Sequence, residues 1–348
     1  MRIAFFVNSI ADETPHYTTT TLALAALNRG HEICYVTAAG FVLRPDDSLS
    51  IRGLMLPSAG YKKLETLHKD LQGDQTEMRT FDASEIDVLF LRNDPSLEGP
   101  ERSWAVNAGP LFGRLAAQRG TLVVNDPAGL SKAQNKLYLQ EFPAAVRPAT
   151  LISKNIDEIR SFLEGEKKGA IIKPLQGSGG RNVFKVASHK DHNLNQIFEA
   201  VSGEGYLIAQ SFMPEASEGD VRFFVMNGHP LMRDGKYAAF RRVPAKGEIR
   251  SNIHVGGGPA PVEVTPAMLG IIDAVRPKLI EDGMFLVGLD IVGEKVLEIN
   301  VFTPGGLHNI AQLYETNFSD SVIASLEKKI AARDAYGGNL ENSRLAML

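Results

Sequence analysis

Apolar and polar positions along the chain alternate between two periods. Residues 3–7, 32–37, 87–91 and 121–125 are short apolar runs bounded by turn residues, the pattern of strands buried on both faces. Between them, residues 18–29 carry helical spacing and stop at Gly30, and residues 104–118 do so before Gly120. Buried strands separated by helices predict a parallel sheet in a doubly wound α/β unit. Ligands of such sheets lie beyond the carboxyl ends of the strands. Three of those ends carry polar residues: Asn8-Ser9, Arg92-Asn93-Asp94 and Asn125-Asp126. Polar residues there are equally ordinary loop chemistry.

The pattern changes near Leu122. Residues 131–141 read as a helix with Ser131 as N-cap, closed by Pro143 and Pro148. Strands at 150–152 and 170–173 flank a helix at 156–163. A turn over 176–181, a strand at 182–186, a polar helix around 194–202 and a strand at 206–210 follow. Residues 221–227 and 230–242 alternate like antiparallel strands joined at Asn227-Gly228. Residues 246–261 include three successive glycines and read as a mobile loop. A helix at 266–282 precedes a hairpin of 285–292 and 296–301 around Gly293-Glu294-Lys295. Residues 320–333 form an amphipathic helix, and the rest reads as a loose tail.

Composition narrows the class. A chain of 348 residues, 44% hydrophobic, implies two or three packed units rather than one small core. The net charge of −4 is well mixed, with no run suited to nucleic acid or a membrane surface. A single cysteine, Cys34, excludes an internal disulfide framework and a Cys-rich metal site; within Ile33-Cys34-Tyr35-Val36 it reads as a buried strand thiol. No signal-peptide pattern and no membrane-length apolar stretch occur, so the cytoplasm is the default expectation.

Candidate chemistry concentrates in the late hairpin. Glu298 and Asn300, two apart on a strand, share a face. With a three-residue loop at 293–295, Asp290 lies opposite Glu298; a two-residue loop would put Leu297 there. Two facing carboxylates repel and need a cation, a proton or basic partners. An oxygen-only set suits Mg²⁺; the alternative is a solvated strand face. The turn Gln176-Gly177-Ser178-Gly179-Gly180-Arg181, preceded by Lys173, has the glycines that let backbone N–H groups approach a phosphate. It is not a P-loop, and a plain hairpin would use the same glycines. Lys136 on its helix, and Gln210-Ser211-Phe212-Met213 leaving a strand before Pro214, are weaker signals. Asp220 and Arg222 are two apart, while Arg242 and Arg250 flank the glycine-rich loop. Guanidinium forks suit the charge of a transferring phosphoryl group.

In order, these segments resemble the bacterial glutathione synthetase family of the ATP-grasp superfamily. The matching stretches include Leu91-Arg92-Asn93-Asp94-Pro95, Asn125-Asp126-Pro127, Asn135-Lys136-Leu137, Ile172-Lys173-Pro174-Leu175 and Gly219-Asp220 with Arg222. Gly177 with Gly179-Gly180, Ala209-Gln210, Arg242-Val243-Pro244, Gly247-Glu248 with Arg250 and Asn252, and Val287-Gly288-Leu289-Asp290-Ile291 with Glu298-Ile299-Asn300-Val301 complete the set. The resemblance implies an α/β N-terminal parallel-sheet (pre-ATP-grasp) domain followed by an ATP-grasp module of two α+β subdomains. Its divisions are 1–121, then 122–318 (split near 205), then a C-terminal helix and tail at 319–348. It implies Lys136 and Lys173 on the ATP phosphates, residues 176–181 covering them, residues 210–213 on adenine, and Asp220 near ribose or phosphate. Asp290, Glu298 and Asn300 would bind two Mg²⁺, with Mn²⁺ as a substitute. Arg222, Arg242 and Arg250 would steady the transferred phosphoryl group, and residues 244–261 would act as a lid. Ser9, Arg92, Asn252, Gly305 and Gly306 are the substrate candidates.

The chemistry implied is ATP-dependent joining of an acid and an amine through an acylphosphate, with γ-glutamylcysteine and glycine as the family's pair. The rivals are a ligase for another acid and amine, and a nucleotide-binding regulator without turnover. A homodimer or tetramer follows by analogy. The chain departs from the family at Gln176 and Ser178, where Asp and Met are common, and over Phe302-Thr303-Pro304-Gly305-Gly306-Leu307, where Thr-Ser-Pro-Thr is common. These changes bear on substrate identity. The tail beyond residue 320 is also long for the family.

Overall fold

A computed structural model describes residues 1–58, 60–73, 76–177, 181–203, 205–244 and 258–348. The first sheet is parallel at its centre. Strand β1 (Arg2–Phe6) lies between β2 (Glu32–Val36) and the Val88–Leu91 strand, whose other neighbour is Leu122–Val124. Three antiparallel strands, β3 (Phe41–Leu43), β4 (Leu49–Met55) and β5 (Glu77–Asp82), extend it beyond β2. The parallel strands at Val88–Leu91 and Leu122–Val124 are β6 and β7. The three added strands escape the sequence pattern because β3 is short and four residues of β5 are exposed.

Helices α1 (Thr18–Asn28), α2 (Leu64–Leu71) and α3 (Ala108–Ala117) cover the sheet. Only 108–117 of the expected 104–118 helix is α-helical; Pro100–Ala105 forms a separate 3₁₀ segment. The helix expected at 131–141 is also divided. Helix α4 runs Pro127–Lys132, capped by the Asp126 carboxylate, and Ser131 lies inside it. Asp-Pro is a strong cap-and-first-turn pair, and it starts the helix before Ser131 can. Lys136–Glu141 is then a distinct 3₁₀ turn capped by Asn135.

The second sheet has the order β10-β9-β11-β8, built from β8 (Thr150–Ser153), β9 (Ala170–Pro174), β10 (Phe184–Val186) and β11 (Leu207–Ser211). Helices α5 (Ile156–Gly165) and α6 (Leu194–Ser202) pack on it through Ile159, Leu163, Leu194 and Val201. The third sheet starts with β12 (Asp220–Met226) and β13 (His229–Pro230), joined at Asn227-Gly228 as the pattern predicts. A small ribbon of β14 (Met232–Arg233) and β15 (Lys236–Tyr237) leads to β16 (Ala239–Val243) and β17 (Gly258–Ala260). Beyond α7 (Pro266–Glu281), strands β18 (Leu286–Val292) and β19 (Lys295–Asn300) complete the order β17-β16-β12-β18-β19.

Helix α8 (Leu307–Tyr314) returns the chain to the first sheet, where α9 (Phe318–Ala335) packs beside α1. Phe318, Val322, Ile323 and Leu326 are fully buried there, each contributing roughly 1.5–3 kcal/mol. Arg29 ties the two helices at 3.0 Å to Asp320 and 2.5 Å to Glu327. The residues after α9 are not loose. Leu345 and Ala346 are buried, and Asn342, opening the short helix α10 (Asn342–Leu345), pairs with β7 through Val123 N and O at 2.8 and 2.9 Å. Its amide also reaches Asp126 Oδ2 at 2.8 Å. An amide side chain here completes the open edge of a strand, which a composition-based reading of a polar tail cannot see.

Two asparagines thus brace β7. The second, Asn125, is buried and bridges to the third sheet through Leu286 N, Leu286 O and Val301 O. Replacing Asn342 with Ala leaves the Val123 donor and acceptor unpaired. We expect a loss of about 2–3 kcal/mol, measured as a lowered urea midpoint with an unchanged slope.

Candidate active site

The late hairpin sets the geometry. β18 and β19 turn through two residues, Gly293 and Glu294, not the three expected. Val292 faces Lys295 and Ile291 faces Val296, and the register then shifts so that Asp290 faces Glu298. A bulge therefore restores the pairing that the loop length alone would have lost. Gly288 faces Asn300, whose Nδ2 donates to Asp290 Oδ2 at 3.2 Å.

On its other side, β18 pairs with β12 so that Asp290 faces Arg222, and β12 pairs with β16 so that Asp220 faces Arg242. The cross-strand register produces one alternating network. Arg222 Nε meets Asp290 Oδ1 at 2.6 Å and its Nη2 meets Oδ2 at 3.1 Å. Arg242 Nη2 reaches the same carboxylate at 2.7 Å, and its Nε reaches Asp220 Oδ1 at 2.6 Å. Burial pushes the Asp290 carboxyl up, but the two guanidinium groups outweigh it and hold it at about 2. Gly288 makes room for this. A Cβ there would lie 3.0 Å from Arg222 Cδ and 2.9 Å from Pro304 Cβ. The far Nη1 of Arg222 donates to the Gly305 carbonyl at 2.9 Å.

The lysines come from the opposite side of the cleft. Lys173 on β9 donates to Gln210 Oε1 at 3.1 Å, and Gln210 is held in turn by Thr150 Oγ1 at 3.3 Å. Burial pulls Lys173 down to about 8; Glu298 resists that shift and Lys136 adds to it. The backbone N–H of Lys136 donates to the Leu175 carbonyl at 3.2 Å, placing the turn at 136–141 against the end of β9. Its Nζ donates to the Gly177 carbonyl and lies 3.8 Å from Glu298 Oε1. Gly177 has φ of +109°, a conformation that strains any side chain. Lys136, Lys173, Asp290 and Glu298 thus face one cleft of about 1330 Å³.

Arg92, Gln210, Ser211, Phe212, Met213, Asp220, Arg222, Arg242, Asn300, Gly305 and Gly306 line the same cleft. Lys185 Nζ sits 3.6 Å from the Phe212 ring centroid. Ser9 and Gln176 are not among its lining residues, whereas their neighbours Asn8 and Gly177 are. Ser178, Gly179, Gly180, Arg250, Asn252 and most of the lid segment lie outside the described residues. Thr150 and Glu13 went unmarked in the sequence. A threonine opening a strand and an acid in a loop carry no distinguishing pattern; the only available pointer to Glu13 was its place beyond the end of β1.

Among the described residues, no three His, Cys, Asp or Glu side chains gather closely enough to hold a metal by themselves. Asp290, Glu298 and Asn300 present an oxygen-only set on facing strands, the donor chemistry that suits Mg²⁺. No described helix is long and apolar enough to cross a membrane.

A cleft of about 1330 Å³ between two sheets, with lysines on one wall and carboxylates on the other, fits an ATP-dependent carboxylate–amine ligase of ATP-grasp fold. Residues 1–131 match the family description "Prokaryotic glutathione synthetase, N-terminal domain", and residues 135–315 match "Prokaryotic glutathione synthetase, ATP-grasp domain". The chain belongs to the prokaryotic glutathione synthetase family. It is 34% identical to the glutathione synthetase of Synechococcus elongatus, with 94% of this chain and 98% of that one aligned. It is 32% identical to that of Vibrio vulnificus, over 90% and 92% of the two chains. Among solved structures, D-cycloserine synthetase superposes with a TM-score of 0.63 at 12% identity, covering 94% of this chain and 99% of that one. D-alanyl-alanine synthetase A from Vibrio cholerae gives 0.57 at 11%, covering 95% and 98%. These two likenesses concern the fold.

Lys173 supplies a pH test. Phosphate favours its charged form, so nucleotide binding near pH 8 should take up about half a proton, falling towards zero by pH 6. Calorimetry of ATP binding in buffers of different ionisation enthalpy measures this, and Lys173→Met should remove the uptake.

Proposed function

We propose that the protein joins γ-glutamylcysteine to glycine with ATP, making glutathione. The observation that carries this reading is the meeting of Lys136 and Lys173 with Asp290 and Glu298 across one cleft, in a chain of this family. Lys136 and Lys173 hold the phosphate chain as point charges. Residues 210–213 receive the adenine, with Gln210 also orienting Lys173. Asp290, Glu298 and Asn300 would hold Mg²⁺ (two ions by family analogy, Mn²⁺ as a substitute), which when bound spreads the charge on the transferred group. Arg222 and Arg242 keep Asp290 ionised and offer guanidinium donors to that group, while Asp220 orients Arg242.

A carboxylate is a poor electrophile because its leaving group would be oxide. An oxygen of the cysteinyl carboxylate attacks the γ-phosphorus of ATP, and ADP leaves. The glycine amine then attacks the acylphosphate carbonyl, and phosphate and a proton depart. The side chains around the cleft position both partners and exclude water, and no protein nucleophile is needed.

In this reading residues 1–121 contribute acid-substrate binding, 122–318 form the nucleotide-binding module, split near 205, and 319–348 brace the first sheet. The chain works as a cytoplasmic homo-oligomer, by analogy with its family.

Release of ADP that requires both γ-glutamylcysteine and glycine supports the reading. Turnover only with other acid–amine pairs would replace the substrates and keep the chemistry. ATP binding without turnover of any pair would replace the chemistry as well. Glu298→Gln should lower kcat by at least about a hundredfold while leaving the melting temperature near that of the parent, because Glu298 is partly exposed. Lys173→Ala should raise the KM for ATP by about tenfold or more; an unchanged KM would return Lys173 to a structural role.

A further inference from the structure

Beyond β1 the chain enters a loop over residues 8–17 that is fixed from outside. His68 Nε2 lies 2.7 Å from the Glu13 carbonyl oxygen, Gln72 Nε2 donates to the Ile10 carbonyl at 2.7 Å, and Thr20 Oγ1 donates to the Thr14 carbonyl at 2.7 Å. The Glu13 side chain is thereby built into the wall of the cleft and is 8% exposed. Arg92, leaving the end of β6, shares that wall and is 3% exposed.

These opposite charges sense each other without satisfying each other. Burial lifts Glu13 to about 7, with Arg92 pulling the other way; burial lowers Arg92 to about 10, with Glu13 opposing. Arg92 spends Nε on Thr19 Oγ1 at 3.4 Å and Nη2 on the Pro304 carbonyl at 3.2 Å. Arg92 Nη1 and Glu13 Oε2 are buried and have no hydrogen-bond partner among the described residues. Buried charged groups are otherwise paired, because an unmade bond there carries the full desolvation cost. Neither group belongs to the phosphate or metal set.

We propose that Glu13 and Arg92 form the recognition site for the zwitterionic head of the acid substrate, Glu13 accepting from its ammonium and Arg92 donating to its carboxylate. The proposal rests on the glutathione reading. In γ-glutamylcysteine the glutamyl residue is linked through its side chain, so its α-ammonium and α-carboxylate are both free. They lie at the opposite end from the carboxylate to be activated. Arg92 grips the Pro304 carbonyl, and Arg222, already on Asp290, grips the next one, Gly305. Head recognition and phosphoryl transfer thus flank one short loop, within one continuous cleft.

The test compares γ-glutamylcysteine with glutarylcysteine, the same molecule with hydrogen in place of the α-ammonium, as substrates of the parent protein and of Glu13→Gln. The parent should lose tenfold to a hundredfold in kcat/KM on the analogue, the scale of a lost charged hydrogen bond with a partner left buried. Glu13→Gln should lose a similar factor on γ-glutamylcysteine, use the two acids within about twofold of each other, and keep the parent KM for ATP. A merely structural Glu13 would leave the discrimination in place, and that result overturns the proposal. If the variant does not fold, the parent alone decides: equal use of both acids overturns the site. A parent that turns over neither acid overturns the glutathione reading and this site with it, a failure distinct from the others.

Discussion

Asp290 is buried between two guanidinium groups, and the charged groups of the third sheet are arranged around that contact. Asp220, Arg242, Asp290 and Arg222 alternate in sign across β16, β12 and β18, each opposite a charge of the other sign. Removing one partner from such a pair leaves a buried charge uncompensated, typically costing about 3–5 kcal/mol. The register of three strands is therefore coupled to the ionisation of one carboxylate. The same carboxylate orders Asn300 and faces Glu298, so the oxygen-rich face of β19 is positioned by a network whose own charges are neutralised.

The lysine wall is arranged differently. Lys173 is held by neutral groups, Gln210 and then Thr150, and burial weakens its charge. Lys136 reaches the site from a 3₁₀ turn fastened by its own backbone to the end of β9. A cation that is partly desolvated, and not already consumed by a strong ion pair, gains most when a phosphate arrives. One side of the cleft is thus electrostatically satisfied before substrates bind, and the other is completed by them. Glu13 Oε2 and Arg92 Nη1, which have no hydrogen-bond partner among the described residues, extend that second condition to the wall beyond β1.

The first sheet and the site share their supports. Helix α9 and the residues after it close the outer layer beside α1, and Asn342 completes the edge of β7. From the end of that strand Asn125 bridges to β18 and to Val301 beyond β19. A segment that reads as a polar tail is therefore two hydrogen-bonding residues away from the strands that carry Asp290 and Glu298.

The residue types alone determined the buried parallel strands, the hairpin bearing two carboxylates, and the order of motifs that marks the family. These follow from local periodicity and from chemistry that few other residues can supply. Tertiary structure decided the rest. It divided the expected helix at Asp126-Pro127, restored the Asp290–Glu298 pairing with a bulge, and seated the final residues on β7. It also assigned Asp220 to Arg242 and left Glu13 Oε2 and Arg92 Nη1 without a hydrogen-bond partner among the described residues. Each outcome depends on which group lies across a strand or a cleft from another. Separation in space, desolvation and register are properties of the packed chain, and no local pattern of polar and apolar positions encodes them.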